Sequence, residues 1–356
     1  MKLLAFSICF CITTIAFGQR PPIPDLPAII PEEVGFSQDS LNALDDFISG
    51  FEQNDFTGMV VIRDHKIVIE YFYTNNWRTD INDVRSVGKS ITSLLLGVAM
   101  EDGIVSNLDQ DVYSFFSKEK YPMLHEDYKN VKIRDLLNMA SGLDADSDRW
   151  ETPGNAGQWM GKDEWLTYLL GISQPNEPGK NWVYADINAA LIGAIIEEKT
   201  GMSLRDYADE KVFKPLGITK YFWYTNPANQ TVAAGTLFLS TLDLAKIGVL
   251  VANEGKWADQ QIIPQDYIEL LIDSKGISDP ANASIWDSYS MFWYRTKTIS
   301  NGREIDYLWA SGNGGNQLIV IPEENMVISL TATAYGYRYG HRRTRAVLRK
   351  LFDAFE

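Results

Sequence analysis

The chain of 356 residues is 45% hydrophobic and 12% aromatic, enough to bury a large core, and its length corresponds to about two domains. With 32 basic against 47 acidic residues its formal net charge is −15, which opposes binding to nucleic acid or to an anionic membrane surface. Both cysteines, Cys9 and Cys11, fall within the first 18 positions.

Those positions hold Lys2, the apolar run from Leu3 to Phe17 and the small-residue step Ala16-Phe17-Gly18, the pattern of a secretory signal peptide (1–18) cut before Gln19. The expected mature chain is exported, periplasmic or secreted, and has no thiol, disulfide or cysteine metal site, which excludes a cysteine nucleophile. No later stretch approaches about 18 uninterrupted apolar residues, so no membrane span is expected.

Residues 19–35 form a proline-rich, extended arm. Leu41, Leu44, Phe47, Ile48 and Phe51 recur at helical spacing. "TGMVVIR", a tight turn at Asp64-His65 and "KIVIEYFY" predict a β-hairpin. The middle of the chain is helical and loop-rich, with candidate helices at "IRDLLNM", "DEWLTYLL", "INAALIGAIIEEKTG" (ended by Gly201) and "SLRDYADEKVF". Strands return late as "YSMFWYRTKT", "EIDYLWAS", "NQLIVIP" and "NMVISLTAT", with Asn301-Gly302 and "PEEN" as turns, and a helix from about His341 closes the chain. Two strands at the front, several at the back and helices between imply an α+β fold: an antiparallel sheet built from both chain ends (about 36–103 and 236–356), flanked by helices, with a helical insertion (about 104–235). The boundary between the two parts is a natural cleft, and the loops of 144–162 are expected to shape it.

One stretch places polar residues where burial is expected. In "DVRSVGKSITSLLLGVAMEDG", Ser86 and Lys89 stand one turn apart at the mouth of an apolar helix. A serine there can cap the helix. A lysine three positions on shares its face, and burying an ammonium is costly unless it is paired, so the two can instead form a reactive pair beside the positive end of the helix dipole. The same S-x-x-K pattern at Ser117 and Lys120 lies in a charged segment and lacks that helix.

The segment "RSVGKSITSLLLGVAMEDG" resembles the nucleophile helix of the penicillin-recognising serine hydrolases, in the branch with class C β-lactamases, D-alanyl-D-alanine carboxypeptidases, esterases and 6-aminohexanoate-dimer hydrolases. "IRDLLNMASGL", "PGKNWVYADINAALIGAIIEEKTG", "KPLGI", "GTLFLSTLDLAKIG" and "WASGNGGNQLIVIP" follow in that family's order, so the resemblance runs from about residue 35 to the end. It implies a β-lactamase/transpeptidase-like fold, a Ser86 that is acylated and a Lys89 that assists.

The resemblance places the family's Y-x-N tyrosine at Tyr184, with Asp186 where asparagine is usual. A carboxylate facing Lys89 would favour the charged ammonium, leaving Tyr184 the better base; the alternative is a core tyrosine with a surface aspartate. Literal Y-x-N matches at Tyr73 and Tyr224 are out of order. The family's basic residue before Ser/Thr-Gly is replaced by Ala310, ahead of Ser311 and Gly312, so the strand offers no cation to a substrate carboxylate. The backbone N–H groups of Ser86 and Asn313 would form the oxyanion hole, unless "SGNGG" is only a hairpin turn.

His65, His125 and His341 are expected to be solvated or structural, and neither G-x-S-x-G nor H-E-x-x-H occurs. The expected protein is therefore an enzyme without metal or cofactor that cleaves an ester or amide in a small-molecule or short-peptide substrate. The alternatives are β-lactamase or carboxypeptidase activity, and a non-catalytic binder of a cell-envelope ligand. Nothing in the residues signals an oligomeric state.

Overall fold

Strand-forming runs from the two ends of the chain meet in one sheet. In the structure, a computed structural model that describes residues 26–278 and 286–355, Phe56–Arg63 and Lys66–Phe72 form the expected hairpin. Its turn residues Asp64 and His65 take φ values of 48° and 59°, the left-handed pair that a two-residue hairpin loop needs. Phe56–Arg63 also pairs antiparallel with Met326–Ala332. The sheet continues through Asn316–Ile321, Arg303–Gly312, Trp293–Ser300 and Ser288–Ser290, all antiparallel. The predicted signal peptide and residues 19–25 of the arm lie outside the described residues. The rest of the arm begins beside the outer strand of the hairpin, where the Ile67 N–H donates to Pro27 and the Ile29 N–H to Ile67.

Asn316–Ile321 and Met326–Ala332 are buried along their whole length, the pattern of strands covered on both faces. Thr241–Ala252 packs across them and across Phe56–Arg63. Gly248 permits the approach, since a Cβ there would lie 2.5 Å from Val327 Cγ1. Gln38–Ser49 and the terminal helix Arg338–Asp353 pack on one another, and the latter reaches Asn316–Ile321 and Trp293–Ser300. Between the sheet-forming segments, Val87–Glu101 packs against Asp186–Thr200, which stops at Gly201 in the left-handed region (φ 71°). No helix among the described residues is long and apolar enough to cross a membrane.

The structure departs from the expected elements in three places. Thr241–Ala252 and Gln265–Asp273 are helices beyond the predicted set; the first is buried nearly all round, so its apolar run shows no amphipathic stripe. "YSMFWYRTKT" is not one strand. Met291 and Phe292 break it with φ values of 53° and 64°, and the break lets the Phe292 carbonyl accept the Ser90 hydroxyl at 2.6 Å. A second small sheet, Ile81–Asp83 with Leu237–Ser240 and Phe222–Trp223, fixes the chain just before Ser86.

In the helical part, Glu197 is an unusually weak acid. Glu197 accepts the backbone N–H groups of Leu204 and Thr231 through the same oxygen, at 2.8 and 2.9 Å. Burial nonetheless pushes its carboxyl up to about 7. A carboxyl whose folded pKa lies above its unfolded one loses stability as pH rises from the unfolded to the folded value. Glu197→Gln keeps the accepting oxygen and removes the ionisation. Thermal denaturation at about pH 5 and pH 8 is therefore expected to show a smaller loss of Tm in the variant than in the wild type.

Candidate active site

The segment leading to Ser86 is clamped on both sides. The Val84 N–H donates to Leu237 O at 2.9 Å, and Asp83 accepts the Arg85 N–H at 2.9 Å while pairing with its guanidinium at 3.0 Å. Arg85 sits at φ 54°, a strained conformation for a residue with a Cβ, and the turn it makes delivers Ser86 to the helix mouth. Ser86 occupies the N-cap position, but its backbone is already helical (φ −64°, ψ −7°) and its side chain makes no capping bond. Its Oγ accepts from Lys89 Nζ at 2.9 Å instead. Ser117 behaves in the opposite way: its hydroxyl accepts the Lys120 backbone N–H at 3.3 Å, and the Lys120 ammonium turns outward to Glu198.

Lys89 is 1% exposed. An ammonium has three N–H donors, and here they meet Ser86 Oγ at 2.9 Å, Ala234 O at 2.8 Å and Asp186 Oδ1 at 2.6 Å. Two glycines allow the Ala234 carbonyl to come this close. A Cβ on Gly88 would lie 3.3 Å from Gly235 Cα, and one on Gly235 would lie 3.3 Å from Arg85 O. Burial alone would push the Lys89 ammonium down, but the Asp186 carboxylate, aided by the Tyr184 phenol, outweighs it and raises the pKa above the ordinary value. Lys89 is therefore a cation at neutral pH.

Asp186 opens the helix Asp186–Thr200, and Tyr184 precedes it by two residues. Ser147 fixes both, donating its N–H to Tyr184 O at 2.9 Å and accepting the Asp186 N–H on its hydroxyl at 3.1 Å. The Tyr184 ring is half-buried, with its centroid 4.9 Å from Lys89 Nζ. The expected alternative, a core tyrosine with a surface aspartate, does not describe this arrangement.

The strand Arg303–Gly312 ends against the same segment. A Cβ on Gly312 would lie 2.0 Å from Val84 O, so only glycine lets the strand touch the backbone that carries Ser86. Ala310 is fully buried, whereas Ser311 lines the cavity. Asn313 lies in the turn that follows, with Gly314 and Gly315 at φ 95° and 98°, and its side chain accepts the Gly336 N–H at 2.7 Å. "SGNGG" is thus both a hairpin turn and the strand end beside Ser86.

A cavity of about 480 Å³ opens beside these groups, lined by Tyr184 and Ser311 and walled by Trp182, Trp286, Tyr294 and Trp309. Asp146 and Asp148, from the loop expected to shape the cleft, form one side. His341 and Arg345 reach it from the terminal helix, and burial lowers the His341 imidazole pKa below the ordinary value. Neither Arg345 nor the aromatic wall carries a local sequence signal for this site. Tyr73 and Tyr224 stay out of the site: the first bonds Asp45 at 2.8 Å, and the second is exposed.

A β-lactamase family model matches residues 44–352. Over 218 residues the chain is 26% identical to a protein of Escherichia coli O157:H7 provisionally named a D-alanyl-D-alanine carboxypeptidase, covering 55% of this chain and 50% of that one. The chain spans about half the length of the curated relatives it matches. Among solved structures, a protein from Bacillus anthracis provisionally named a 6-aminohexanoate-dimer hydrolase superposes with a TM-score of 0.73 at 17% identity, covering 93% of this chain and 87% of that one. A class C β-lactamase superposes with a TM-score of 0.66 at 17% identity, covering 90% and 96%. At these identities the structural likeness speaks for a shared fold.

Proposed function

The chain belongs to the β-lactamase family of serine hydrolases, and from that premise we propose that it is an exported hydrolase that cleaves an ester or amide bond through an acyl-enzyme on Ser86. The observation that carries the proposal is the placement of one buried cation, Lys89, in contact with the Ser86 hydroxyl, the Asp186 carboxylate and the Tyr184 ring.

In this reading Ser86 Oγ attacks the carbonyl carbon while the Tyr184 phenolate takes the hydroxyl proton. Lys89 stays protonated throughout, stabilising the phenolate by its charge and the developing alkoxide by its hydrogen bond. The carbonyl oxygen becomes an oxyanion held by the N–H groups of Ser86 and Asn313. Collapse breaks the bond to the leaving oxygen or nitrogen, which receives the proton from Tyr184, and water then releases the acyl group by the same steps.

Ala310 provides no cation on the strand and the cavity wall is aromatic, so esters and amides whose acyl group packs on rings fit better than substrates gripped by a strand-held basic residue. A panel of p-nitrophenyl esters, a linear amide dimer and a chromogenic cephalosporin, run on the purified chain, tests this. Ester or amide turnover above cephalosporin turnover is expected; turnover of the cephalosporin alone would select the β-lactamase alternative. Export is tested separately by sequencing the mature N-terminus, expected at Gln19.

Asp186 gives the pH dependence a sign. Asp186→Asn removes the main influence that raises the Lys89 pKa and leaves the burial that lowers it. The ammonium should then deprotonate at lower pH, so the alkaline fall of kcat/KM is expected to begin earlier in the variant than in the wild type. An alkaline limb that does not move would show that the Lys89 charge is not needed.

A further inference from the structure

The terminal helix carries a feature that acyl transfer does not use. Arg338, Arg342, Arg345 and Arg349 recur at i, i+4, i+7 and i+11, which places them on one face of Arg338–Asp353. The opposite face, with Thr344, Val347, Leu348, Leu351 and Phe352, is buried. Arg338, Arg342 and Arg349 are exposed and Arg345 is half-buried. Among the described residues none of the four makes an ion pair or a hydrogen bond, whereas the adjacent Arg343 pairs with Asp55.

In this chain of net charge −15, exposed cations such as Lys118, Lys129 and Arg149 pair with carboxylates and others, Lys162, Lys199 and Lys350, face aromatic rings, whereas among the described residues the four arginines do neither. Asp353, at the end of the same helix, bonds the Ser300 hydroxyl at 2.5 Å. Burial, with Arg349 and Arg342 close by, lowers the Arg345 pKa below the ordinary value, and Asp146 and Asp148, which line the same cavity, make no ion pair with it.

The ridge also meets the cavity beside Tyr184, through Arg345, its third member. Gly340 packs on the turn that carries Asn313, since a Cβ there would lie 2.7 Å from Gly314 O, and Thr344 Oγ1 donates to Gly315 O at 2.9 Å. Arg345 lines the cavity together with Tyr184 and Ser311. From Arg338 to Arg349 the ridge spans about 16 Å, with successive members about 6 Å apart at their Cβ atoms.

We propose that this arginine face is an anion-binding subsite continuous with the catalytic cavity, and that the substrate bears its ester or amide on a chain with several carboxylate or phosphate groups. The location of the scissile bond rests on the hydrolase reading above; the anion site does not. Four cations in a row match a repeating polyanion better than a single anion. The surface is acidic overall and disfavours such a chain elsewhere, and Asp146 and Asp148 on the far side of the cavity direct its charged groups to the arginine side. The concave cavity at the ridge favours a flexible polymer over a flat anionic bilayer.

The test uses the mature chain carrying Ser86→Ala, titrated calorimetrically with polyphosphate, poly-L-glutamate, inorganic phosphate and glutamate. At least one polymer is expected to bind about tenfold or more tighter than its monomer, and the better polymer identifies the anion. Affinity should fall steeply with salt, and Arg342→Gln with Arg349→Gln should reduce the salt slope by about 1 to 2. Polymers that bind no tighter than monomers, an unchanged salt slope in the double variant, or binding to phosphatidylglycerol vesicles in place of soluble polymer would overturn the proposal. In wild type, the polymer that binds should also inhibit p-nitrophenyl butyrate hydrolysis competitively. If that ester is not turned over while Ser86→Ala still binds the polymer, the hydrolase reading fails and the anion site stands.

Discussion

Replacing Ser86 with alanine is expected to lower kcat/KM for the best ester by about 10⁴-fold or more while leaving Tm within about 2 °C of wild type. The separation of the two effects is the informative part. A serine whose hydroxyl caps a helix contributes about 1 kcal/mol to stability, and its loss shows in the melting curve. Ser86 makes no capping bond, and its hydroxyl only receives a bond from Lys89. Steady-state kinetics and a thermal melt of the same preparation check both halves. A clear fall in Tm with activity preserved would return Ser86 to the role of an ordinary helix cap.

Lys89→Met should cost both activity and stability, for different reasons. The thioether fills the buried space but donates nothing to Ser86, Ala234 or Asp186. Loss of the cation that stabilises the Tyr184 phenolate is expected to lower kcat/KM by about 10³-fold or more. Leaving the Asp186 carboxylate without its partner should cost about 3 kcal/mol, the low end for a broken buried pair because Asp186 is 19% exposed. Adding Asp186→Asn to Lys89→Met removes the stranded charge, so the double variant should regain much of the stability and none of the activity. Urea denaturation and kinetics on the two single variants and the double variant form the cycle that separates the two effects. Recovery of activity in the double variant would mean that Lys89 only neutralises Asp186.

The parts of the site that could be read in the residues are those set by local geometry. The three-residue spacing of Ser86 and Lys89 puts them on one helix face wherever that helix lies, and a lysine among Ile91, Leu94 and Leu95 signals a paired, buried cation. Asp186 follows Tyr184 by two positions at a helix start, so both approach Lys89 from the same element. The hairpin at Asp64-His65 and the late strands were legible because their alternation and turn residues are local as well. Thr241–Ala252 is not legible in the sequence because a helix buried nearly all round has no polar stripe. The break at Met291 and Phe292 depends on tertiary bonds to Leu137 and Ser90, which no neighbouring residue encodes. His341, Arg345 and the aromatic wall reach the cavity from separate elements, and only the assembled sheet brings them together. The arginine spacing of the last helix is visible in the sequence; its lack of ion-pair partners among the described residues is not.

The proposed chemistry requires an activated hydroxyl at Ser86, and covalent capture measures it most directly. Incubation of the purified protein with an active-site-directed phosphonate, followed by peptide mass spectrometry, is expected to show one adduct, on Ser86, forming in step with the loss of hydrolysis and much more slowly in Tyr184→Phe. An unmodified Ser86 under conditions that label an active relative, or an adduct on another residue that accounts for the lost activity, would contradict it.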